Sequence, residues 1–441
     1  MSLNKNTIEG FNSTRSGVRH EYFCYAPFSN MYFNVHGDVA PCWLGFSNPE
    51  NIGNKTIKEI WFGEKFSLFR NNIQNLDLET TCKTCKTNIE NGNYYSVLSR
   101  AYDNTVRPGK FPVMMELELD NTCNFECVMC NQFLSSSIER KIIGNRNPKT
   151  IYDESFVEQL EEFIPHLHEI RFNGGEPFLI EIYYKIWERI IAINPKLKIV
   201  VATNGSIYNN RIEQLLEKGN FHINISIDSL KEKRYAEIRK NGNLQNTLKI
   251  LHKFLNYTKK KNNTLCVLTN PMRNNWDEMP DFVKFCNRLN IPLWFNTIIH
   301  PKDLSLWALP PEKLSHIYNK LSKYRFIPIL FKPQSKQNIK TYRNLINVQI
   351  YNWYLQSNNY NGDDCSINSF EDIRNYILKS LTDNDLMQKI VFIEKELDKK
   401  SIDSILFFNL IKQYSLEEFL EHLTSIDKNG IQDLINKYVQ R

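Results

Sequence analysis

Cys123, Cys127 and Cys130 are the residues of this sequence best placed to do chemistry. They stand in a C-x3-C-x2-C spacing within Cys123-Asn124-Phe125-Glu126-Cys127-Val128-Met129-Cys130, directly after the alternating run from Met114 to Asp120. Three thiolates in one short loop can hold three irons of a cubane iron–sulfur cluster. The fourth iron is then left without a protein ligand and is open to a small molecule. The other reading is a zinc site one ligand short, although zinc knuckles favour paired C-x2-C or C-x4-C with Cys or His completing four.

A second set precedes it: Cys24, Cys42, Cys82 and Cys85. Four thiolates are a closed shell, suited to a cluster that binds nothing else or to a structural zinc. Of the ten cysteines, three remain. Cys266 and Cys286 lie in apolar segments and read as core; Cys365 follows Gly362-Asp363-Asp364 in a loop.

The chain has 441 residues, enough for two or three domains. Apolar residues make up 41% and charged residues 24%, as in a soluble globular protein. The net charge of +6 is spread along the chain except at Lys259-Lys260-Lys261, which reads as a solvated turn, so the balance argues against a nucleic-acid partner. No apolar run reaches the length of a membrane span, and Met1 to His20 is too polar for a signal peptide. With cysteines grouped as ligands, the reducing cytoplasm is the expected compartment.

The elements that must position these residues follow from pattern. Met31 to Val35 and Val39 to Cys42 flank the turn His36-Gly37-Asp38, a hairpin between the first two cysteines. Thr56 with Glu59 is a capping box that starts a helix, and Phe66, Phe69 and Ile73 continue an apolar face. Arg107-Pro108-Gly109 is a linker. Beyond it, strands are expected at 113–120, 167–173, 197–203, 221–227, 264–269 and 292–299, alternating with amphipathic stretches, one of them ended by Gly219 at a C′-like position. That alternation argues parallel β/α units. After Pro310-Pro311 the pattern becomes helical, with helices expected at 313–323, 338–355, 370–381, 385–397, 402–413, 416–426 and 431–438.

On these motifs the chain resembles the radical S-adenosylmethionine (SAM) enzymes, whose signature is the C-x3-C-x2-C spacing. The resemblance implies a [4Fe–4S] cluster whose free iron chelates SAM and cleaves it reductively to methionine and a 5′-deoxyadenosyl radical. Cys24, Gly37 and Cys42, followed by Ile52-Gly53-Asn54 and Glu59-Ile60-Trp61, are similar to the opening of the SPASM/twitch domain. That likeness implies an auxiliary [4Fe–4S] cluster on Cys24, Cys42, Cys82 and Cys85, with a structural zinc as the alternative. Two departures stand out: the module precedes the barrel, and no second cysteine group follows Cys85. A single-cluster twitch module fits best.

Active sites of β/α folds lie at the C-terminal ends of the strands. There Gly174, Gly175 and Glu176 resemble the family's GGE motif, which implies contact with the SAM amino group. Asn204 and Ser226 are implied for the SAM ribose and carboxylate, and Arg239 for the carboxylate. Met129 stands where an aromatic residue is common and can fill the same space. Glu116, Glu118 and Asp120 share one strand face; carboxylates pointing into a barrel must pair or line a wet cavity. Glu116 and Glu118 are therefore candidates to face substrate or SAM, with rim exposure the alternative. His300, before Pro301, is a further catalytic candidate, with a structural role the alternative.

The expected fold is α/β: a partial (β/α)6 barrel at 110–305, a small twitch-like α+β module at 21–106 before it, a flexible arm at 1–20 and a mainly helical region at 306–441. The expected partners are a substrate, either a ribosomally made peptide or a small molecule such as a sugar, and an electron donor such as flavodoxin or ferredoxin. A non-catalytic metal-binding protein is the rival class.

Overall fold

The computed structural model describes residues 5–15, 20–45, 49–90, 94, 97–103, 109–144, 151–358, 370, 373–374, 377, 383–399, 419–420, 423–424, 426–427 and 429–432. The expectation for Cys365 and those for helices at 402–413 and, in large part, 416–426 and 431–438 lie outside the described residues. The chain divides into two compact units: Met1–Asn270 with Asn275–Asn296 and Tyr318–Asn352, and Pro271–Asn274 with Thr297–Ile317 and Trp353–Arg441.

The first unit is built on a nine-stranded sheet. Its strands are β1 (Asn30–Phe33), β2 (Asp38–Ala40), β3 (Glu50–Asn51), β4 (Met114–Leu117), β6 (Glu169–Phe172), β7 (Lys198–Thr203), β8 (Phe221–Ser226), β10 (Leu265–Thr269) and β11 (Leu293–Phe295). The order is β11-β10-β8-β7-β6-β4-β1-β2-β3. The six strands expected from alternation are all present and run parallel in chain order. Two short strands, β5 (Glu126–Cys127) and β9 (Arg239–Lys240), pair separately.

Alternation gives this sheet two unlike faces. Met115, Leu117, Ile170, Phe172, Ile199, Val201, Ile223 and Ile225 are fully buried. That face meets the helices: Phe172 packs edge-on against Tyr183 and Trp187 of helix Glu181–Ile193, at centroid distances of 4.9 and 5.4 Å. The register puts Glu116, Arg171, Asn224, Ser226 and Cys266 on the other face. Cys266, read as core, is thus half-buried on the polar side of the sheet; Cys286 is buried as expected.

Local signals act as chemistry dictates. Thr56 and Glu59 form the expected capping box. Asp153, Asn209 and Asn243 each accept an amide hydrogen at a helix start. Gly219 does end the helix Asn210–Lys218, but in extended conformation at φ −102°, not as a left-handed cap. Glycine is needed there because a Cβ would come within 2.5 Å of the Phe221 ring. Lys259-Lys260-Lys261 is the last turn of helix Leu244–Lys261 and not a separate turn; cations suit that end of the helix dipole.

Two further expectations are corrected. Residues 5–15, read as part of a flexible arm, begin with helix Lys5–Ser13. It is held by Phe11, 0% exposed, and by a buried 2.5 Å ion pair from Arg15 to Asp103. The cysteine module is also continuous with the barrel strands: β1 pairs in parallel with β4, with Tyr32 opposite Glu116, and the hairpin β1–β2 extends the sheet.

The second unit is described by itself. The Arg273 guanidinium donates to the carbonyls of Ser305, Lys302 and Ala308 at 3.0, 3.0 and 3.1 Å and ties residues 271–274 to the 297–317 segment. Leu386, Ile390, Ile393 and Leu397 form the buried stripe of helix Asn384–Lys399 and pack with Phe370, Ile373, Ile377, Phe419, Leu420, Leu423 and Ile431. His300 belongs to this unit.

Candidate iron–sulfur and SAM site

The loop from Leu117 to Ser137 carries the three-cysteine motif away from the C-terminal end of β4. The Cys127 strand pairs with Arg239, and the Val128 amide donates to the Ile238 carbonyl at 2.9 Å. Behind the loop stand three serines. Ser135 donates to the Phe125 carbonyl at 2.7 Å and Ser137 to the Cys123 carbonyl at 2.7 Å, while the Ser136 hydroxyl accepts from the Cys123 amide at 3.1 Å. The Phe125 amide donates to the Cys123 sulfur at 3.4 Å, the kind of bond that supports a thiolate ligand. Burial pushes the Cys127 thiol up to about 11 and the Cys130 thiol up to about 12. Both must lose that proton to bind metal, so loading releases protons.

The GGE segment clamps this loop through its backbone. Gly174 sits at φ +109°, a region that favours glycine, and a Cβ there would lie 2.7 Å from the Asp120 carbonyl. A Cβ on Gly175 would lie 2.3 Å from the Thr122 carbonyl. In their place run two bonds, Gly175 amide to Asp120 carbonyl at 3.1 Å and Glu176 amide to Thr122 carbonyl at 2.8 Å. The Glu176 carboxyl is fully buried and accepts from the Phe178 amide, the Thr203 hydroxyl and the Asn204 amide at 3.2, 2.7 and 2.6 Å. Burial pushes it up to about 7 against those bonds. Glu176 thereby fastens the ends of β6 and β7 together.

Asn204 and Arg239 reach the cysteines. The Asn204 side-chain nitrogen Nδ2 donates to Asn124 Oδ1 at 3.0 Å and lies 3.9 Å from the Cys123 sulfur. Arg239 Nη1 lies 3.9 Å from the Cys127 sulfur, and Nη2 pairs with Asp228 at 2.7 Å. Asp228 is 0% exposed and also accepts from the Asn270 backbone and side-chain amides at 2.7 and 2.9 Å. Ser226 shares its strand face with Asn224, one strand over from Ala202.

Glu116 and Glu118 are paired, not rim-exposed. Glu116 Oε1 accepts from Asn30 and from the Tyr102 hydroxyl, each at 2.8 Å, and Oε2 faces Arg171 at 3.4 Å. Glu118 is bonded to Tyr32; burial pushes it up to about 7, with the Glu116 charge adding and the Tyr32 bond opposing. Its Cγ lies within 3.5 Å of the position a Gly174 Cβ would take, so it borders the GGE segment. His300 lies in the second unit.

Cys24 and Cys85, each 8% exposed, sit in one apolar cluster with Phe11, Phe23, Ile73, Leu78, Ile89, Val97 and Tyr102; Cys42 and Cys82 pack against it. All four are free thiols. Burial raises the Cys24 thiol, and the charges of Cys42, Cys82 and Cys85 raise it further. Burial, then Cys85 and Cys82, raise Cys42, with Glu116 adding. The Ala26 amide donates to the Cys24 sulfur at 3.4 Å, as Phe125 does to Cys123. Among the described residues, no three His, Cys, Asp or Glu side chains are placed as donors to one single metal ion. The soft donor sets of both sites suit a cluster of several irons: three thiols would leave one iron open, and four thiols, two buried and two half-buried beside an apolar cluster, would close a second.

Sequence reasoning missed Asn30, Tyr32, Tyr102, Tyr183 and Ser135–Ser137. The Tyr183 hydroxyl accepts from the Leu119 amide and reaches the Leu117 and Asn173 carbonyls, holding β4 and the cluster loop to β6. Only the serine run carried a usable signal, three hydroxyls at a helix start.

Comparison with known proteins bears on this site in two steps. Residues 117–286 match the radical SAM superfamily, the segment that spans the three-cysteine loop through β10. Residues 24–86 match the iron–sulfur cluster-binding SPASM domain and include the other four cysteines. The chain therefore carries a radical SAM domain with an iron–sulfur cluster-binding domain ahead of it, and its cofactors are SAM, a [4Fe–4S] cluster and an auxiliary iron–sulfur cluster. Curated relatives include a GTP 3′,8-cyclase of Clostridium botulinum strain Hall, 28% identical over 41% of this chain and 54% of that protein. One of Clostridium perfringens strain 13 is 30% identical over 34% of this chain and 46% of that protein. The chain spans about half the length of these relatives. Solved structures with some likeness include Streptococcus suis SuiB bound to precursor peptide SuiA, at TM-score 0.37 and 14% identity over 56% of this chain and 60% of that one. Another is anSMEcpe with bound AdoMet, at TM-score 0.36 and 18% identity over 47% and 58%. Among the described residues, no helix is long and apolar enough to cross a membrane.

Proposed function

We propose that this chain is an enzyme that uses a SAM-derived radical to remove a substrate hydrogen, and that its substrate is a ribosomally made peptide. The observation that carries the radical reading is the cysteine loop after β4, whose three thiols lie beside Asn204, Arg239 and the GGE segment and would leave one iron of a cubane open. When bound, the cluster would supply the electron for reductive cleavage of SAM, and the auxiliary cluster would accept the electron that the substrate radical gives up on oxidation. The chain's own residues hold and orient. Cys123, Cys127 and Cys130 ligate the cluster. Gly174 and Gly175 bring backbone close to the SAM methionine group, with Glu176 fixing that backbone from behind. Arg239 offers its guanidinium toward the SAM carboxylate, held in place by Asp228. Asn204 and Ser226 line the path toward the ribose. Glu118, which borders the GGE segment, is the carboxyl assigned to serve the substrate. Cys24, Cys42, Cys82 and Cys85 ligate the auxiliary cluster, and a small electron carrier such as flavodoxin or ferredoxin is the reductant.

The peptide assignment draws on the SPASM-type module, which in the family often accompanies peptide substrates. The curated relatives, named GTP 3′,8-cyclases, favour a small-molecule substrate as the second reading. The test of the radical site is Cys127→Ala: iron falls by about half and 5′-deoxyadenosine formation is abolished, while formation at the wild-type rate would refute the ligand set. Substrate class is then read by mass spectrometry of a precursor peptide encoded beside this gene, and of GTP, after incubation with the loaded enzyme.

A further inference from the structure

The buried polar groups between the two cysteine sites have no part in the reading above. Asn30 and Tyr32 of β1, Glu116 of β4 and Arg171 of β6 share one sheet face, because Tyr32 opposes Glu116 and Glu116 opposes Arg171. Asn30 and Tyr102 both donate to Oε1 of Glu116 at 2.8 Å, and Arg171 faces Oε2 at 3.4 Å. Asparagine amide, phenol and guanidinium all present hydrogens, so the arrangement suits a carboxylate that only accepts. The same Asn30 nitrogen donates to the carbonyl of Pro41, the residue before Cys42, at 2.9 Å. Tyr102 lies in the apolar cluster that contains Cys24 and Cys85. One side chain thus ties the carboxylate to the Cys42 loop, and another ties it to the wall around Cys24 and Cys85.

Arg171 offsets this charge only in part, because it is shared with a second carboxylate. Its Nε bonds Glu169 at 2.5 Å, and Glu169 in turn takes Lys198 at 2.7 Å. This chain of alternating charges leads along β6 to β7, away from Cys42. Its outer members are more open: the Arg171 side chain is 32% exposed, Lys198 43%, Glu116 only 7%. The buried end, toward the cysteines, is the negative one.

We propose that Glu116 is a positioning residue that holds down the reduction potential of the cluster ligated by Cys24, Cys42, Cys82 and Cys85. This rests on the reading of those four thiols as iron–sulfur ligands. Adding an electron beside a fixed negative charge in a poorly screened interior costs Coulomb energy, and net local charge is one of the levers on such potentials. The step is the transfer of a single electron into the oxidised cluster; no bond forms or breaks.

The experiment is an anaerobic potentiometric titration of the reconstituted full chain, followed by electron paramagnetic resonance. The SAM-binding cluster is told apart by its change of signal on adding SAM. Glu116→Gln keeps the shape and removes the charge. Iron per chain should stay at the wild-type value, and the N-terminal cluster should become easier to reduce by about tenfold, about 59 mV for one electron. Arg171→Gln removes the countercharge and should move the same potential downward, a sign reversal that loosened packing would not give. If Glu116→Gln fails to load the N-terminal cluster, Arg171→Gln decides: a downward shift supports the inference, an unchanged or raised potential overturns it. Both clusters present in Glu116→Gln with an unmoved potential overturns the inference alone. Wild-type protein with only the SAM-binding cluster overturns the ligand reading and the inference together.

Discussion

Arg239 shows how a residue read for one role is held in place by another. The family resemblance implied a partner for the SAM carboxylate; what the sequence did not reveal is the buried pair with Asp228, eleven positions earlier. Asp228 is 0% exposed and the Arg239 side chain 8%. Arg239→Ala strands a buried carboxylate and should destabilise the metal-free chain by about 3–5 kcal/mol in urea denaturation. Arg239→Ala with Asp228→Ala should recover much of that stability without recovering SAM affinity in equilibrium dialysis. A single variant as stable as wild type would contradict the pairing. Glu118 makes a pH-dependent contribution. Its carboxyl titrates at about 7 in the folded chain, raised chiefly by burial; in the unfolded chain the value is about 4.3. Between these values the folded state keeps a proton that the unfolded state has lost, so stability is fully present below about pH 4.3 and falls as pH rises through 7. Glu118→Gln should remove that loss, its stability gaining on wild type by roughly 3–4 kcal/mol across the window. Parallel pH profiles for the two proteins would contradict the assignment. The cysteine spacings were legible because ligands of one cluster loop lie close in sequence. The partners of Glu116 were not, because Asn30 is 86 positions away and only strand pairing brings it there.

At the scale of elements, local pattern carried far. All six parallel strands followed from runs such as Phe221-His222-Ile223-Asn224-Ile225-Ser226, whose alternation encodes a buried and an open face. The helix starts at Thr56 and Asn209 needed only their own side chains. What local pattern could not supply was the pairing of β1 with β4, since nothing in Asn30–Phe33 names its neighbour. The helix Lys5–Ser13 was hidden for a related reason: its sequence is mostly polar, and its order depends on Phe11 and Arg15 meeting residues some ninety positions on. The N-terminal module carries its own prediction. Two of its four cysteines lie within its apolar cluster and two pack against it, so Cys82→Ala with Cys85→Ala should lower iron by up to one cluster. Because the three-cysteine loop belongs to other elements, SAM cleavage should persist, while substrate product is lost and 5′-deoxyadenosine forms unproductively. Metal analysis and Mössbauer spectra of the double variant are the check; stoichiometric zinc in anaerobically purified wild type, with one cluster present, would make the module a structural staple.

At the scale of the molecule, one continuous sheet carries both cysteine sites. The three-cysteine loop leaves the C-terminal end of β4; the four-cysteine site is built around β1 and β2, hydrogen-bonded to that same strand. The sequence revealed the two sites as separate motifs and the barrel as a separate domain; their shared sheet is a long-range property. The second unit, mainly helical in its described part as expected, carries His300. The account stands on the claim that the loop after β4 holds a cluster with one open iron. Its most direct test is anaerobic reconstitution of the full chain with iron and sulfide, followed by a strong reductant and SAM, with 5′-deoxyadenosine measured by liquid chromatography. The account predicts 5′-deoxyadenosine and methionine in equal amounts. Protein fully loaded with iron that forms no 5′-deoxyadenosine would contradict it.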